Sequence, residues 1–152
     1  MAARTFGTVS PEQFKAMNGL AFVQGLASGV LPLNTIARIL GYEVVEADPG
    51  RVVIATQHLN PWGTLHGGLT ATLLDSCMGP AVQTMLENGI GSTTLEFKVS
   101  LIRPITPQTG RILAEGTHLN CGRRVGTAEG RVTDPAGRLL AHGTTTCLIF
   151  PL

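Results

Sequence analysis

The chain has 152 residues, the usual length of a single domain with room for a substantial core. Its net charge of +1 gives no general attraction for nucleic acid or an anionic membrane, so neither is expected as a partner. Hydrophobic residues make up 43% of the chain and charged residues 14%, an excess that favours self-association over an exposed apolar surface.

Three widely spaced cysteines, Cys77, Cys121 and Cys147, match neither a metal-binding nor a disulfide pattern. Reduced thiols are typical of a cytoplasmic protein, and we expect no metal and no other cofactor. The sequence also lacks the glycine-rich motifs that bind nucleotide phosphates. Any anionic ligand would therefore be held by a local cluster of arginines or lysines.

The N-terminal part predicts helices. Residues 10–13, Ser-Pro-Glu-Gln, form a helix start with Ser10 as the N-cap, and this helix should run to about Leu26. A short helical turn is expected at Thr35–Leu40. The uncharged segment 16–37 contains asparagines, a glutamine and glycines, so we expect it to pack on the domain rather than insert into a membrane.

The rest of the chain predicts six strands and one long helix. Alternating residues indicate strands at 42–47 and 51–58. A stretch from residue 67 to about 86 is apolar on most of its circumference, which indicates a buried helix. Further strands follow at 92–102, 111–119, 124–133 and 138–150.

Short connections between the last four strands predict an antiparallel meander. The whole pattern predicts an α+β fold in which a curved antiparallel sheet wraps around one long central helix. Residues 40–152 would form this domain, and residues 1–39 would be a helical extension packed on it.

The start of the central helix is a candidate site. Residues 66–68 are His-Gly-Gly, which leaves backbone N–H groups bare at the positive end of the helix dipole. Such donors suit a developing oxyanion. Asp75 lies two turns further along, on about the same face as Gly68, and an acidic residue in an apolar helix is a functional candidate. A hydrogen bond from Thr72 or Ser76 is the structural alternative for this carboxylate.

The spacing of these groups has a consequence for assembly. Gly67 and Asp75 are separated by about 12 Å at 1.5 Å per residue, so one carbonyl group cannot touch both. Two such helices packed antiparallel across a two-fold axis would bring Asp75 of one subunit near Gly67 of the other. We therefore predict sites shared between subunits, two in each dimer.

Residues 60–75 resemble the hot-dog-fold acyl-CoA thioesterases of the phenylacetate-pathway and 4-hydroxybenzoyl-CoA type, in the branch that contains thioesterase superfamily member 2. The segments 93–99, 103–104, 122–125 and 137–143 also match. The resemblance covers about residues 40–150. It implies a hot-dog fold, hydrolysis of an acyl-CoA or aryl-CoA to the free acid and coenzyme A, and a homotetramer.

The resemblance also implies roles for single residues. Asp75 matches the acidic residue that attacks the thioester carbonyl or activates a water, and both alternatives stay open. Gly67 matches the residue whose N–H polarises that carbonyl, and His66 matches one that orients the site. Asn60 matches a side chain that holds the water or the thioester. Thr94, or its neighbour, matches a hydroxyl near the water.

The neighbour is Thr93, and the sequence does not decide which of the two threonines faces the site. Coenzyme A, as part of the substrate, brings phosphates that arginines in turns or at strand ends can bind. The residues expected to contact it are Gly68, Arg103, Arg123 and Arg124.

The acyl chain is expected in an apolar tunnel at the dimer interface. This tunnel is lined partly by the central helix and also by residues of the N-terminal helix and the partner subunit, and the length of the acyl chain is left open. A non-catalytic acyl-CoA binding or sensing protein on the same fold is the alternative function. It would be stabilised by ligand without turnover. The complete set of Asp75, His66 and Gly67 argues for the enzyme.

Overall fold

A computed structural model describes residues 4–56 and 64–152 of the chain. The described helices are α1 (Pro11–Lys15), α2 (Gly19–Ser28), α3 (Thr35–Leu40) and α4 (Gly67–Gln83), with a short 3-10 turn at Pro107–Thr109. The strands are β1 (Tyr42–Asp48), β2 (Arg51–Thr56), β3 (Ile90–Leu101), β4 (Ile112–Cys121), β5 (Val125–Thr133) and β6 (Leu139–Pro151). None of the helices in these ranges combines the length and apolarity needed to cross a membrane.

The six strands form one antiparallel sheet in the order β1-β2-β4-β5-β6-β3. Helix α4 packs against the sheet and contacts strands β2 to β6. Its buried side chains build the centre of the core: Leu69, Leu73, Leu74, Cys77, Met78, Ala81 and Val82. This arrangement confirms the predicted α+β fold, an antiparallel sheet around one long helix.

The predicted meander is right for three strands and wrong for the fourth. Strands β4, β5 and β6 pair consecutively, but β3 pairs with β6 and forms an edge of the sheet. The segment between β3 and β4, residues 102–111, is too long for a tight hairpin and contains the 3-10 turn. It carries the chain from the sheet edge to the centre, where β4 pairs with β2.

The single long N-terminal helix that the sequence predicts is also wrong. Ser10 caps α1 as predicted, with a reciprocal capping box to Gln13. The helix ends at Lys15, however, because Asn18 starts a new one. Its Oδ1 accepts a 2.8 Å hydrogen bond from the Ala21 N–H, which satisfies the first turn of α2. The predicted turn at Thr35–Leu40 is confirmed as α3.

Helix α2 is fastened to the end of α4. The Gly19 N–H donates to the Leu86 carbonyl at 2.9 Å, and a Cβ added to Gly19 would lie 1.5 Å from the Gln83 carbonyl oxygen. Only glycine permits this approach. Further along α2, Gln24 Nε2 donates to the Ala47 carbonyl of β1 at 3.1 Å.

Helix α4 approaches the sheet equally closely at Gly116 of β4. A Cβ added there would lie 2.3 Å from the Cys77 carbonyl oxygen. No side chain separates the helix backbone from the strand at this point. Because Gly116 has no Cβ, α4 packs closer to strand β4 than any other residue at this position would allow.

We predict that Gly116→Ala lowers the free energy of unfolding by about 1–3 kcal/mol, because the new methyl group overpacks the helix–sheet contact. Gly7→Ala is the matched control, since its Cβ would meet only Pro32 Cβ at 3.9 Å. Its effect should stay within about 0.5 kcal/mol. Urea unfolding of both variants measures the difference, and equal stabilities would refute the close contact.

Candidate active site

Asp75 is half-buried in α4 and borders a cavity, so it is less enclosed by apolar groups than the sequence indicates. Its Oδ1 accepts a hydrogen bond of 2.9 Å from Thr94 Oγ1 on β3. The local alternative does not hold, because Thr72 donates to a backbone carbonyl one turn earlier and Ser76 donates to a tyrosine hydroxyl. The carboxylate is therefore paired with a residue of the edge strand rather than with its own helix.

The two candidate threonines differ in this respect. Thr93 is exposed and also borders the cavity, but the hydrogen bond to Asp75 comes from half-buried Thr94. Thr94 gives its hydroxyl proton to Asp75 and keeps lone pairs on Oγ1. Such an oxygen can accept a hydrogen bond from a water next to the carboxylate.

His66 is the N-cap of α4, and its Nδ1 accepts a 3.0 Å hydrogen bond from the Gly68 N–H. A ring nitrogen that accepts carries no proton, so the imidazole is held as the tautomer protonated on Nε2. Within residues 4–56 and 64–152 the Gly67 N–H has no acceptor. His66 thus orders the first turn, and the Gly67 N–H can donate to an acceptor from outside these residues.

A single chain does not bring the two parts of the predicted site together. Asp75 and Thr94 form one pair, and His66 and Gly67 form another about 12 Å away along the same helix. Asn60, the remaining predicted residue, falls in 57–63, outside the residues that the structure describes. Its role stays a prediction.

The predicted phosphate ligands lie at opposite ends of the sheet. Arg103 donates to the Leu139 carbonyl at the start of β6. Arg123 and Arg124 lie in the turn between β4 and β5, where the Arg124 carbonyl accepts from the Ile149 N–H near the end of β6. All three arginine side chains are exposed. A single subunit therefore does not bring them to one phosphate group.

Cys147 is a neighbour of the site that the sequence does not single out. It pairs with Thr94 across β6 and β3, and it borders the same cavity as Asp75. Burial raises the pKa of its thiol, which favours the unreactive protonated form at neutral pH. Cys147 is thus not a competing nucleophile. No three His, Cys, Asp or Glu side chains of the described residues lie close enough to hold a metal ion.

The cavity itself has a volume of about 400 Å³. It extends from Asp75 and Thr94 to helices α1 and α2 of the N-terminal part. The sequence analysis expects the N-terminal helix to line the acyl tunnel, and the helical spacing of Phe22 and Leu26 is typical of such an apolar face.

This fold is shared with known proteins. Residues 63–141 match the family model of the Thioesterase superfamily. Human acyl-coenzyme A thioesterase 13 is 32% identical over 116 residues, which cover 72% of this chain and 81% of the human protein.

Solved structures agree. A mutant of the phenylacetic acid degradation protein PaaI from Thermus thermophilus is 30% identical, with a TM-score of 0.65 over 74% of this chain and 96% of that one. A thioesterase from Haemophilus influenzae shares the fold at 20% identity, with a TM-score of 0.75 over 86% of this chain and 91% of that one.

The chain is a hot-dog-fold protein, and it belongs to the Thioesterase superfamily. The predicted family and fold are confirmed. Membership also supports hydrolysis of a thioester as the reaction.

We predict that Thr94→Val lowers the rate of thioester hydrolysis about ten- to a hundredfold, since a hydrogen bond to a charged group contributes about 1.5–3 kcal/mol. Thr94→Ser keeps the hydroxyl and should stay within a few-fold of the unchanged protein. Release of free thiol from a substrate measures both rates. Equal rates for the Val and Ser variants would show that the hydroxyl of Thr94 has no part in the reaction.

Proposed function

We propose that this chain hydrolyses an acyl-CoA thioester to the free acid and coenzyme A, at sites that two subunits share. The observation that carries the proposal is the Asp75 carboxylate, held by Thr94 beside an apolar cavity. The acyl-coenzyme A named for the human relative supports the substrate class.

Asp75 provides the attacking electrons in either of two ways. Its Oδ2 attacks the thioester carbonyl and forms an anhydride that water then opens, or the carboxylate takes a proton from a water that attacks the carbonyl instead. In both routes the carbonyl oxygen becomes an oxyanion before the C–S bond breaks and coenzyme A leaves as the thiol. Neither route requires a metal or a redox cofactor.

The oxyanion is stabilised by the N–H of Gly67 at the positive end of α4. This donor is in place before charge develops, because His66 holds the first turn by accepting from Gly68. The Gly68 N–H is thereby occupied, so any contact of Gly68 with coenzyme A would be a packing contact. His66 acts as a positioning residue and not as the base.

The edge strand β3 supports a site that is shared between two subunits. Strand β3 offers unpaired backbone groups, and its side chains Leu95, Phe97 and Leu101 are 57%, 41% and 62% exposed. Antiparallel pairing with a second β3 would join two sheets and cover these side chains. This fits the apolar composition of the chain.

The same pairing assembles the site. Thr94 of β3 lies beside Asp75, whereas Leu101 lies beside Gly67, at 3.1 Å from a Cβ placed there. A two-fold axis midway between Thr94 and Leu101 brings Asp75 of one subunit opposite Gly67 of its partner. Each dimer then contains two complete sites.

The arginines fit this arrangement. The two-fold axis would bring Arg103 of one subunit to the end of the partner sheet that carries Arg123 and Arg124, on either side of the phosphates of one coenzyme A. Assembly of two dimers into a tetramer and a cytoplasmic location remain predictions from the family resemblance and the reduced cysteines.

We predict that Asp75→Asn lowers the rate of acyl-CoA hydrolysis by about 10²–10⁴-fold, because the amide cannot attack or accept a proton. The amide oxygen can still accept the hydrogen bond from Thr94, so the variant should keep the structure and the oligomer. The molar mass measured by light scattering should therefore not change. Glu87→Gln, at an exposed carboxylate just beyond α4, is the control and should keep full activity.

Full activity of Asp75→Asn would refute the mechanism. If aryl-, short- and long-chain acyl-CoAs all raise the melting temperature of the protein without any release of thiol, the chain is a binding protein and the proposed reaction is wrong.

A further inference from the structure

The cavity beside Asp75 is polar at one end and apolar at the other. Asp75 and Thr94 border the first end, and α4 and β3 form the walls between the ends. The far end is made by side chains of the N-terminal helices and of the segment that follows them: Phe14, Phe22, Val23, Leu26 and Leu33. All of these residues belong to one subunit.

Three hydroxyl groups in the wall already donate to other side chains of the wall. Ser76 Oγ donates to the Tyr42 hydroxyl at 3.1 Å, and the Tyr42 hydroxyl donates to Asn34 Oδ1 at 3.1 Å. Ser92 Oγ donates to Gln83 Oε1 at 2.8 Å. An apolar group can therefore enter without leaving these three hydroxyl donors unpaired, which would otherwise cost about 1–3 kcal/mol for each.

Two aromatic rings form the end wall. Phe14 of α1 packs edge-on against Phe22 of α2, with ring centroids 4.5 Å apart and an interplanar angle of 76°. Helix α1 has no buried residue of its own, and Phe14 is the side chain by which it borders the cavity. The position of Phe14 thus depends on Phe22.

The helix that carries Phe22 is held at both ends. Gly19 fastens its start to the end of α4. At the other end the Arg4 guanidinium donates to the carbonyls of Leu26 and Ala27, at 2.7 and 3.1 Å. Helix α2 is therefore held to the end of α4 at its start and to the N-terminal segment at its end.

Resting on the proposed function, we infer that the acyl group of the substrate occupies this cavity, inside the subunit that supplies Asp75, and that the Phe14–Phe22 pair sets its largest size. The N-terminal helices line this cavity, as the sequence analysis expects of the acyl tunnel, whereas the residues that the partner subunit was expected to add to that tunnel remain a prediction. Phe14 and Phe22 are then specificity-determining residues.

The dimensions indicate the class of acyl group. From Asp75 to Gln83 the cavity follows α4 for about 12 Å at 1.5 Å per residue. Its volume of about 400 Å³ is near the lower end of the range of about 300–1,000 Å³ for ligand sites. A short or medium acyl chain or a single aromatic ring fits, and a long fatty chain does not.

The test is thiol release from acetyl-, hexanoyl-, phenylacetyl-, decanoyl- and palmitoyl-CoA by the full chain and three variants. Phe14→Ala and Phe22→Ala should raise kcat/KM for palmitoyl-CoA relative to hexanoyl-CoA by at least about tenfold, the scale of an added apolar contact in a pocket. Phe6→Ala, at an exposed phenylalanine outside the cavity, should leave the ratio unchanged.

Two results overturn the inference: the unchanged protein hydrolyses palmitoyl-CoA as well as hexanoyl-CoA, or both cavity variants behave like Phe6→Ala. Phe14 lies on an exposed helix, so its variant stays informative if Phe22→Ala fails to fold. A protein that releases no thiol from any substrate refutes the proposed function instead. In that case Asp75→Asn is combined with each phenylalanine variant, and the affinities for hexanoyl- and palmitoyl-CoA are measured by calorimetry. They still decide whether the Phe14–Phe22 pair limits the size of the acyl group.

Discussion

The close contact between helix α4 and the sheet is the constraint on which the rest of the structure depends. At Gly116 of β4 the helix backbone approaches so closely that a Cβ would lie 2.3 Å from a helix carbonyl oxygen. Gly126 and Gly130 of β5 leave room in the same way for Val82 and Met78, at 2.4 and 2.8 Å. Because one face of α4 is locked into the sheet, its other groups have fixed directions.

The fixed orientation of α4 explains why the proposed site residues lie at two separate places along the helix. Asp75 faces Thr94 of the edge strand and the cavity, while Gly67 presents its amide two turns earlier. A rigid helix cannot shorten the distance between them, so the proposed carboxylate and the proposed oxyanion donor must come from different subunits if they act on one carbonyl. The exposed apolar side chains of β3 lie where such a partner would bind.

Local patterns in the sequence predicted the local structure well. The strands follow from alternation, α4 from its apolar circumference, and the start of α1 from the Ser10 capping box. Pairing of β3 with β6 was missed because it joins segments far apart in the chain. The break before Asn18 was missed because a side-chain cap competes with continuation of the helix. The N-terminal helix was expected to line the acyl tunnel, but the residues that border the cavity were missed for the first reason, since Phe22 and Asp75 meet only in the folded chain. Thr94 was found through the family resemblance and not through periodicity.

The most direct test of the shared site combines Asp75→Asn and Gly67→Pro subunits in one doubly tagged, purified oligomer. Proline is tolerated at the first helical position; it removes the N–H and adds a ring, whereas Gly67→Ala adds only a Cβ, 3.1 Å from Leu101 Cδ1, and keeps the donor. Each variant alone should be impaired and Gly67→Ala should stay active. In a mixed dimer one site joins Asp75 to an intact Gly67, so about half of the unchanged turnover should return, as two-fold symmetry requires. Activity no higher than that of the separate variants would contradict the account.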